Sequence, residues 1–236
     1  MTSTLSRPRL HLSGDTLVLV EFQARMAPEV NARVVALAQA IVAAAVPGVR
    51  DVVPGCASVG VHVDPLRFDA PALEQVVAHA WDVATEAAGV GATARVVDIP
   101  VCYGGEHGPD LEAVAAVAGC SPDAVVQRHT APVYRVYMLG FLPGFAYLGS
   151  VDARIAVPRR PAPRAHVRAG SVGIAGQQTG VYPCDSPGGW QLIGRTPWRM
   201  FDAARHPPAV LRAGDAVRFV ALPHDQWDGG AGGPWS

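Results

Sequence analysis

The chain opens its periodic part at residues 16–22, where leucines and valines cluster in strand fashion, and then changes period. Over 28–45, Val30, Val34, Leu37 and Ile41 recur every three or four residues, the spacing of one helix face, and Pro47-Gly48 stops that helix. Residues 49–53 and 57–63 return to strand character around a Pro54-Gly55 turn. Asp69 then caps a second helix reaching about residue 88, whose inward stripe is Leu73, Val76, Val77, Ala80, Trp81 and Ala84. Gly89 ends it before a strand at 94–101. The order βαββαβ predicts a ferredoxin-like sandwich over residues 1–101, with two helices covering one face of a small antiparallel sheet.

The pattern beyond residue 101 differs. Cys102 to Asp110 reads as a loop, followed by helices at 111–118 and from 121, the second with Ser121 as cap and Pro122 at its first position. These predict a helical linker over 102–132 that bridges two halves. From Tyr134 onward, short apolar runs alternate with Gly and Pro turns, which predicts a β-barrel or sandwich over 133–228. Residues 229–236 read as a loose tail. The fold class is therefore α+β, in two domains.

Composition narrows the function. Half of the 236 residues are apolar and the formal net charge is −1, so the chain can bury a sizeable core and lacks the cationic excess of a general nucleic-acid binder. All 19 basic residues are arginine. Without lysine there is no Walker A motif and no attachment point for biotin or pyridoxal phosphate on this chain. Cys56, Cys102, Cys120 and Cys184 are widely spaced, so neither a zinc knuckle nor a disulfide framework is indicated, and no metal site is expected. No window approaches the ~20 apolar residues of a membrane span, and no leader is evident; a cytoplasmic protein without membrane contact is expected.

Candidate chemistry concentrates in 140–195, where six arginines face only two acidic residues, Asp152 and Asp185. Arg159, Arg160 and Arg164 lie among Pro158, Pro161 and Pro163, whose restricted backbone lowers the entropy lost when a guanidinium closes on carboxylate or phosphate. Pairing with acidic residues of the same fold is the competing reading. Gln177 and Gln178 carry both donor and acceptor, which suits a lactam, urea or amide. Phe141, Phe145, Tyr147, Tyr182 and Trp190 line a pocket or fill a core. The turns Pro143-Gly144-Phe145 and Ser186-Pro187-Gly188-Gly189 offer backbone N–H groups to an oxyanion or phosphate, and Arg195 closes the region. His129, His166 and His107 are the candidate bases, and no Gly-x-Ser-x-Gly elbow points to a serine hydrolase.

Three motifs are long and specific: Tyr103-Gly104-Gly105 with Gly108-Pro109-Asp110-Leu111, Gly140-Phe141-Leu142-Pro143-Gly144-Phe145, and Ser186-Pro187-Gly188-Gly189-Trp190. In these, and over nearly its whole length, the chain resembles the KipI/PxpB family, also called allophanate hydrolase subunit 1. It departs from the usual pattern at Arg168, Cys184 and His107. The resemblance implies an N-terminal α+β domain followed by a cyclophilin-like β-barrel. It further implies a KipA/PxpC-type partner subunit which, with a PxpA-type subunit, completes an ATP-dependent 5-oxoprolinase acting on a small amide substrate. ATP would be bound with the partner's help. In such an enzyme Arg159 and Arg164 would hold phosphate or carboxylate, and Gln177 or Gln178 would orient the amide. His129 is kept as the candidate base, and the turns and aromatics frame the substrate. Two alternatives come with the resemblance: inhibition of a sensor histidine kinase, as by KipI, or a role related to allophanate hydrolase and urea carboxylase.

Overall fold

The computed structural model describes residues 6–86, 94–227, 229 and 233, and the chain divides into two compact units, Met1–Thr93 and Ala94–Ser236. In the first unit, β1 (Arg9–Leu12), β2 (Leu17–Glu21), β3 (Val49–Pro54) and β4 (Ser58–Val63) form an antiparallel sheet in the order β1-β2-β4-β3. Helix α1 (Pro28–Ala44) joins β2 to β3, and β4 is inserted between these two strands, giving the split βαβ arrangement. Helix α2 (Ala70–Glu86) follows β4, and the Asp69 carboxylate accepts from the Ala72 amide at 3.0 Å, the N-cap read from sequence. Val30, Val34, Leu37 and Ile41 of α1 are buried as their spacing requires, and Leu73 and Val77 of α2 complete the core against Val18, Val20, Val59 and Val61. The Ala84 side chain, the end of α2 near residue 88 and Gly89 lie outside the described residues.

One strand changes allegiance. The fourth strand of the anticipated sandwich, β5 (Val96–Tyr103), pairs in parallel with β13 (Ala216–Ala221) and antiparallel with β12 (Gln191–Arg195), both in the second unit. The sheet edge left open is filled by β1, from the segment ahead of residue 16, where the sequence pattern predicts no strand. Strand character was legible at 94–101 but not at 9–12, and alternation within a strand does not say which sheet it joins. The boundary accordingly falls at 93/94 instead of 101/102.

The second unit is a closed barrel in the order β10-β7-β6-β13-β5-β12-β9, with β6 (Tyr134–Leu139), β7 (Ala146–Gly149), β9 (Ser171–Ala175) and β10 (Gln178–Val181). A separate ribbon pairs β8 (Arg164–Val167) with β11 (Ser186–Gly188). Inward residues alternate along the strands: Val97, Ile99 and Val101 of β5 stand beside Val217 and Phe219 of β13, all buried. Helices α3 (Leu111–Ala118) and α4 (Pro122–Thr130) are part of this unit, because Leu111, Val114, Ala115 and Val125 belong to the barrel core. The segment 102–132, anticipated as a separate linker, accordingly falls within this unit. Among the described residues, no helix is long and apolar enough to cross a membrane. Most of the 229–236 segment lies outside the described residues.

Candidate functional site

The aromatic residues singled out in the sequence form one ring cluster on the barrel. Phe145 packs edge-to-face on Tyr147 at 4.9 Å, Tyr182 at 5.3 Å and Trp190 at 5.4 Å, and Phe141 approaches Phe145 at 5.5 Å. Phe145, Tyr182 and Trp190 are buried, so their first role is packing. Phe141 is the exception. It is 60% exposed and adopts φ 68°, in a tight turn where the Leu142 amide donates to the Gly140 carbonyl at 2.8 Å. A bulky residue in this left-handed conformation costs ~1–3 kcal/mol, a strain that concentrates at binding sites.

The glycine turns serve the cluster as spacers. Gly144 sits at φ 82° with Phe201 where a Cβ would point, and Gly188 has the Tyr182 phenol in that place, so neither position admits a side chain without movement. Two N–H groups near the proposed oxyanion turns are already used: the Phe145 amide donates to the Leu142 carbonyl at 3.0 Å, and the Trp190 amide donates to the Tyr182 hydroxyl. Pro143 is exposed and Gly189 lies beside Pro163, with its carbonyl accepting from the Arg160 amide at 2.8 Å. The arginine loop and the 186–190 turn therefore run side by side.

The arginine cluster divides. The buried Asp110 carboxylate accepts from Arg160 Nη1 at 3.1 Å and Arg164 Nη2 at 2.7 Å through Oδ1, while Oδ2 accepts from the Leu192 amide at 2.7 Å. Asp110 immediately precedes α3, yet its side chain does not cap that helix; it is committed to the arginines and to β12. For these two arginines, pairing within the fold is the outcome. Arg159 is exposed and makes no ion pair among the described residues. Its guanidinium and that of Arg164 oppose the upward push that burial exerts on the Tyr182 phenol, which places their charge beside the ring cluster. Three guanidiniums against one carboxylate leave a local charge of +2, and Arg160 Nε and Arg164 Nη1 are buried donors without an acceptor. The excess charge, carried outward by the exposed Arg159, suits an anion supplied from outside.

Gln177 is exposed in the two-residue turn that joins β9 to β10, with Gly176 at φ 58° in the first central position, as a II′ hairpin requires. Gln178 starts β10 opposite Ala175 and is half-buried. The turn is drawn to the arginine loop by the Gly176 amide, which donates to the Val157 carbonyl at 2.7 Å, and Gln191 Nε2 donates to the Pro158 carbonyl at 3.2 Å. Phe141 thus meets Phe145 and Tyr182 directly, Gly188 lies against the Tyr182 phenol and the Arg159 charge acts on that same ring, while Gln177 is tied to the arginine loop through the Gly176 turn. A cavity of about 650 Å³, lined by Arg95, Asp98, Trp198 and Arg212 among others, is elsewhere on the barrel and involves none of the residues selected from sequence.

His129 is not at this surface. It is fully buried and stacked on Phe219 at 4.6 Å. The Thr179 hydroxyl donates to the Gly173 carbonyl at 2.9 Å, so it accepts from His129 Nε2–H at 2.9 Å, and His129 Nδ1 accepts the Tyr103 hydroxyl at 2.7 Å. Burial lowers the imidazole pKa to about 3. A neutral ring with both nitrogens bonded and no path to solvent is a structural element, which corrects its assignment as candidate base. His166 is paired with Asp185 at 2.9 Å on the surface. Arg195 also leaves the group: its Nε donates to the Ala169 carbonyl at 2.8 Å and its guanidinium lies 5.4 Å from the Trp227 ring centre, beside His107. Sequence reading missed Asp110 as the anchor, although an acidic residue inside the specific Gly108-Pro109-Asp110-Leu111 motif was a usable signal.

Residues 8–211 match the family model described as carboxyltransferase domain, subdomain C and D, and the chain belongs to that family. Within it, the chain is 44% identical over 225 residues to the B subunit of 5-oxoprolinase from Bacillus subtilis (strain 168), covering 92% of this chain and 93% of that protein. The crystal structure of TTHA0988 superposes with a TM-score of 0.76 at 40% identity, covering 88% of this chain and 40% of that longer one. The Kluyveromyces lactis urea carboxylase shares the fold at 18% identity, with a TM-score of 0.74 over 94% of this chain and 22% of its own.

Proposed function

We propose that this protein is the B-type component of an ATP-dependent 5-oxoprolinase, which opens 5-oxo-L-proline to L-glutamate while ATP is hydrolysed to ADP and phosphate. It acts with a KipA/PxpC-type subunit and a PxpA-type subunit. The observation that carries this reading is the 44% identity to the B subunit of a 5-oxoprolinase over nearly the full length of both chains. The site is compatible with it. A five-membered lactam is a stable amide; phosphorylation of its carbonyl oxygen by ATP activates the carbon to water, the tetrahedral adduct collapses with cleavage of the ring C–N bond to an acyl phosphate, and hydrolysis of that acyl phosphate releases phosphate and L-glutamate. The residual +2 charge around Arg159, Arg160 and Arg164 suits a phosphate or the substrate carboxylate, and Gln177 offers a donor and an acceptor to the lactam amide. Phe141 and Tyr147, which both pack on Phe145, would offer the substrate apolar surface.

The test is coexpression with the two partner-type subunits, purification of the complex and measurement of ATP-dependent glutamate release from 5-oxoproline. Turnover that requires this chain supports the proposal. A well-formed complex that is inactive on 5-oxoproline but active on allophanate or urea, or a chain that binds and inhibits a sensor histidine kinase without turnover, would overturn it.

A further inference from the structure

Away from the aromatic face, one sulfur and two ring nitrogens, from Cys102, His107 and His224, lie within 4.8 Å of one another. Their sequence spacing carries no metal signature; the barrel brings them together. We propose that these three side chains bind a borderline transition metal ion, zinc above all, and leave its fourth position open. Thiolate and imidazole select zinc-type ions over magnesium or calcium, and three protein ligands with one vacancy is the arrangement of zinc sites that accept a water or exogenous ligand. Ligand atoms around tetrahedral zinc are about 3.3–3.8 Å apart, given bond lengths of about 2.0–2.3 Å. Closing the observed set therefore takes a movement of roughly 1 Å.

The backbone holds the set in place. Cys102 is buried on β5, in register with Arg195 of β12. The chain then doubles back through Gly104 and Gly105, at φ 72° and 53°, so that five residues later His107 returns to the same spot. The Gly104 amide donates to the Ile193 carbonyl at 3.1 Å and the His107 amide to the Gly104 carbonyl at 3.1 Å, and Gly108 presses so closely on the Ile193 carbonyl that no Cβ fits. His224 arrives from the turn after β13, and its Nε2–H donates to the Tyr103 carbonyl at 2.9 Å, a bond that orients the ring and leaves Nδ1 with the lone pair. The Trp227 ring lies on His107 at 4.2 Å and walls one side, and Glu106 adds negative charge next to Cys102 and His107. Metal binding at this place does not depend on the reaction proposed above.

Cobalt(II) is the probe. The full chain, freed of metal with a chelator and reduced, is titrated with cobalt(II) and then with zinc(II). One equivalent of cobalt with thiolate-to-cobalt charge-transfer absorption, displaced by zinc, is the expected result. Cys102→Ser should abolish that absorption. His224→Ala, at an exposed position where folding is not at stake, should weaken cobalt binding by more than the ~10-fold that loss of a hydrogen-bonding partner behind a ligand brings. Cys184→Ser should bind as the unaltered chain does. No charge-transfer band in the unaltered chain, or affinity within tenfold of it in His224→Ala, overturns the proposal.

Discussion

Acid should weaken the barrel well before its carboxylates titrate, and His129 is the reason. Above pH ~6.5 the imidazole is neutral in folded and unfolded chains alike, so the stability from its buried bonds to Tyr103 and Thr179 is fully present. Below that value only the unfolded chain takes up the proton, because burial holds the folded pKa at about 3. Stability then falls by about 1.4 kcal/mol per pH unit, and by about 5 kcal/mol if followed down to the folded pKa. His107, also lowered chiefly by burial, adds loss of the same sign over a narrower span. Asp64, Asp98, Asp152 and Asp185 are held below the usual carboxylate range, so their contribution is lost only as pH drops through about 4 and lower. The window from pH 6.5 to 5 therefore isolates histidine. The assay is urea unfolding across that window for the unaltered chain and for His129→Gln, whose amide keeps one acceptor and one donor. The variant should be less stable at pH 7.5, yet its stability should fall by about 1.4 kcal/mol per pH unit less steeply. Equal slopes would refute the assignment of a neutral, buried His129.

Asp110→Ala should cost about 3 kcal/mol in urea unfolding, since it strands two half-buried guanidiniums and the Leu192 amide; a loss under 1 kcal/mol would show the pair to be incidental. Arg159→Ala should leave unfolding unchanged while raising the KM for ATP or 5-oxoproline of the assembled complex by about tenfold, the worth of one charge-assisted hydrogen bond. Phe141→Gly should stabilise the isolated chain slightly or leave it unchanged by relieving the φ 68° strain, while lowering complex formation or turnover; a large loss of stability instead would make Phe141 a packing residue.

The legible part of this protein was whatever depends on local periodicity. The buried faces of α1 and α2, the Asp69 and Ser121 caps and the turn-rich barrel all follow from spacing and turn chemistry, and the ring cluster followed from the motifs that contain it. Long-range choices were not legible. Residues 96–103 alternate in burial as well in a barrel as in a sandwich, so their partners, 120 residues later in β13, had to be seen. His129 failed for a related reason: a helix-end histidine has the same sequence whether it faces water or, as here, the interior of a barrel closed by Phe219 and Thr179.

Asp110 joins fold and site. With its carboxylate bonded to the β12 backbone on one side and to Arg160 and Arg164 on the other, it ties the start of α3 to the arginine loop through a single buried group. Full neutralisation would make the loop purely structural, but one carboxylate against three guanidiniums does not neutralise it. Nor does it satisfy Arg160 Nε and Arg164 Nη1, and a buried donor left without an acceptor costs ~1–3 kcal/mol. A loop held rigid by one internal anion, with excess positive charge at the exposed Arg159, loses little entropy on meeting a second anion, so the proposed anion-binding role is consistent with two of the three arginines being paired.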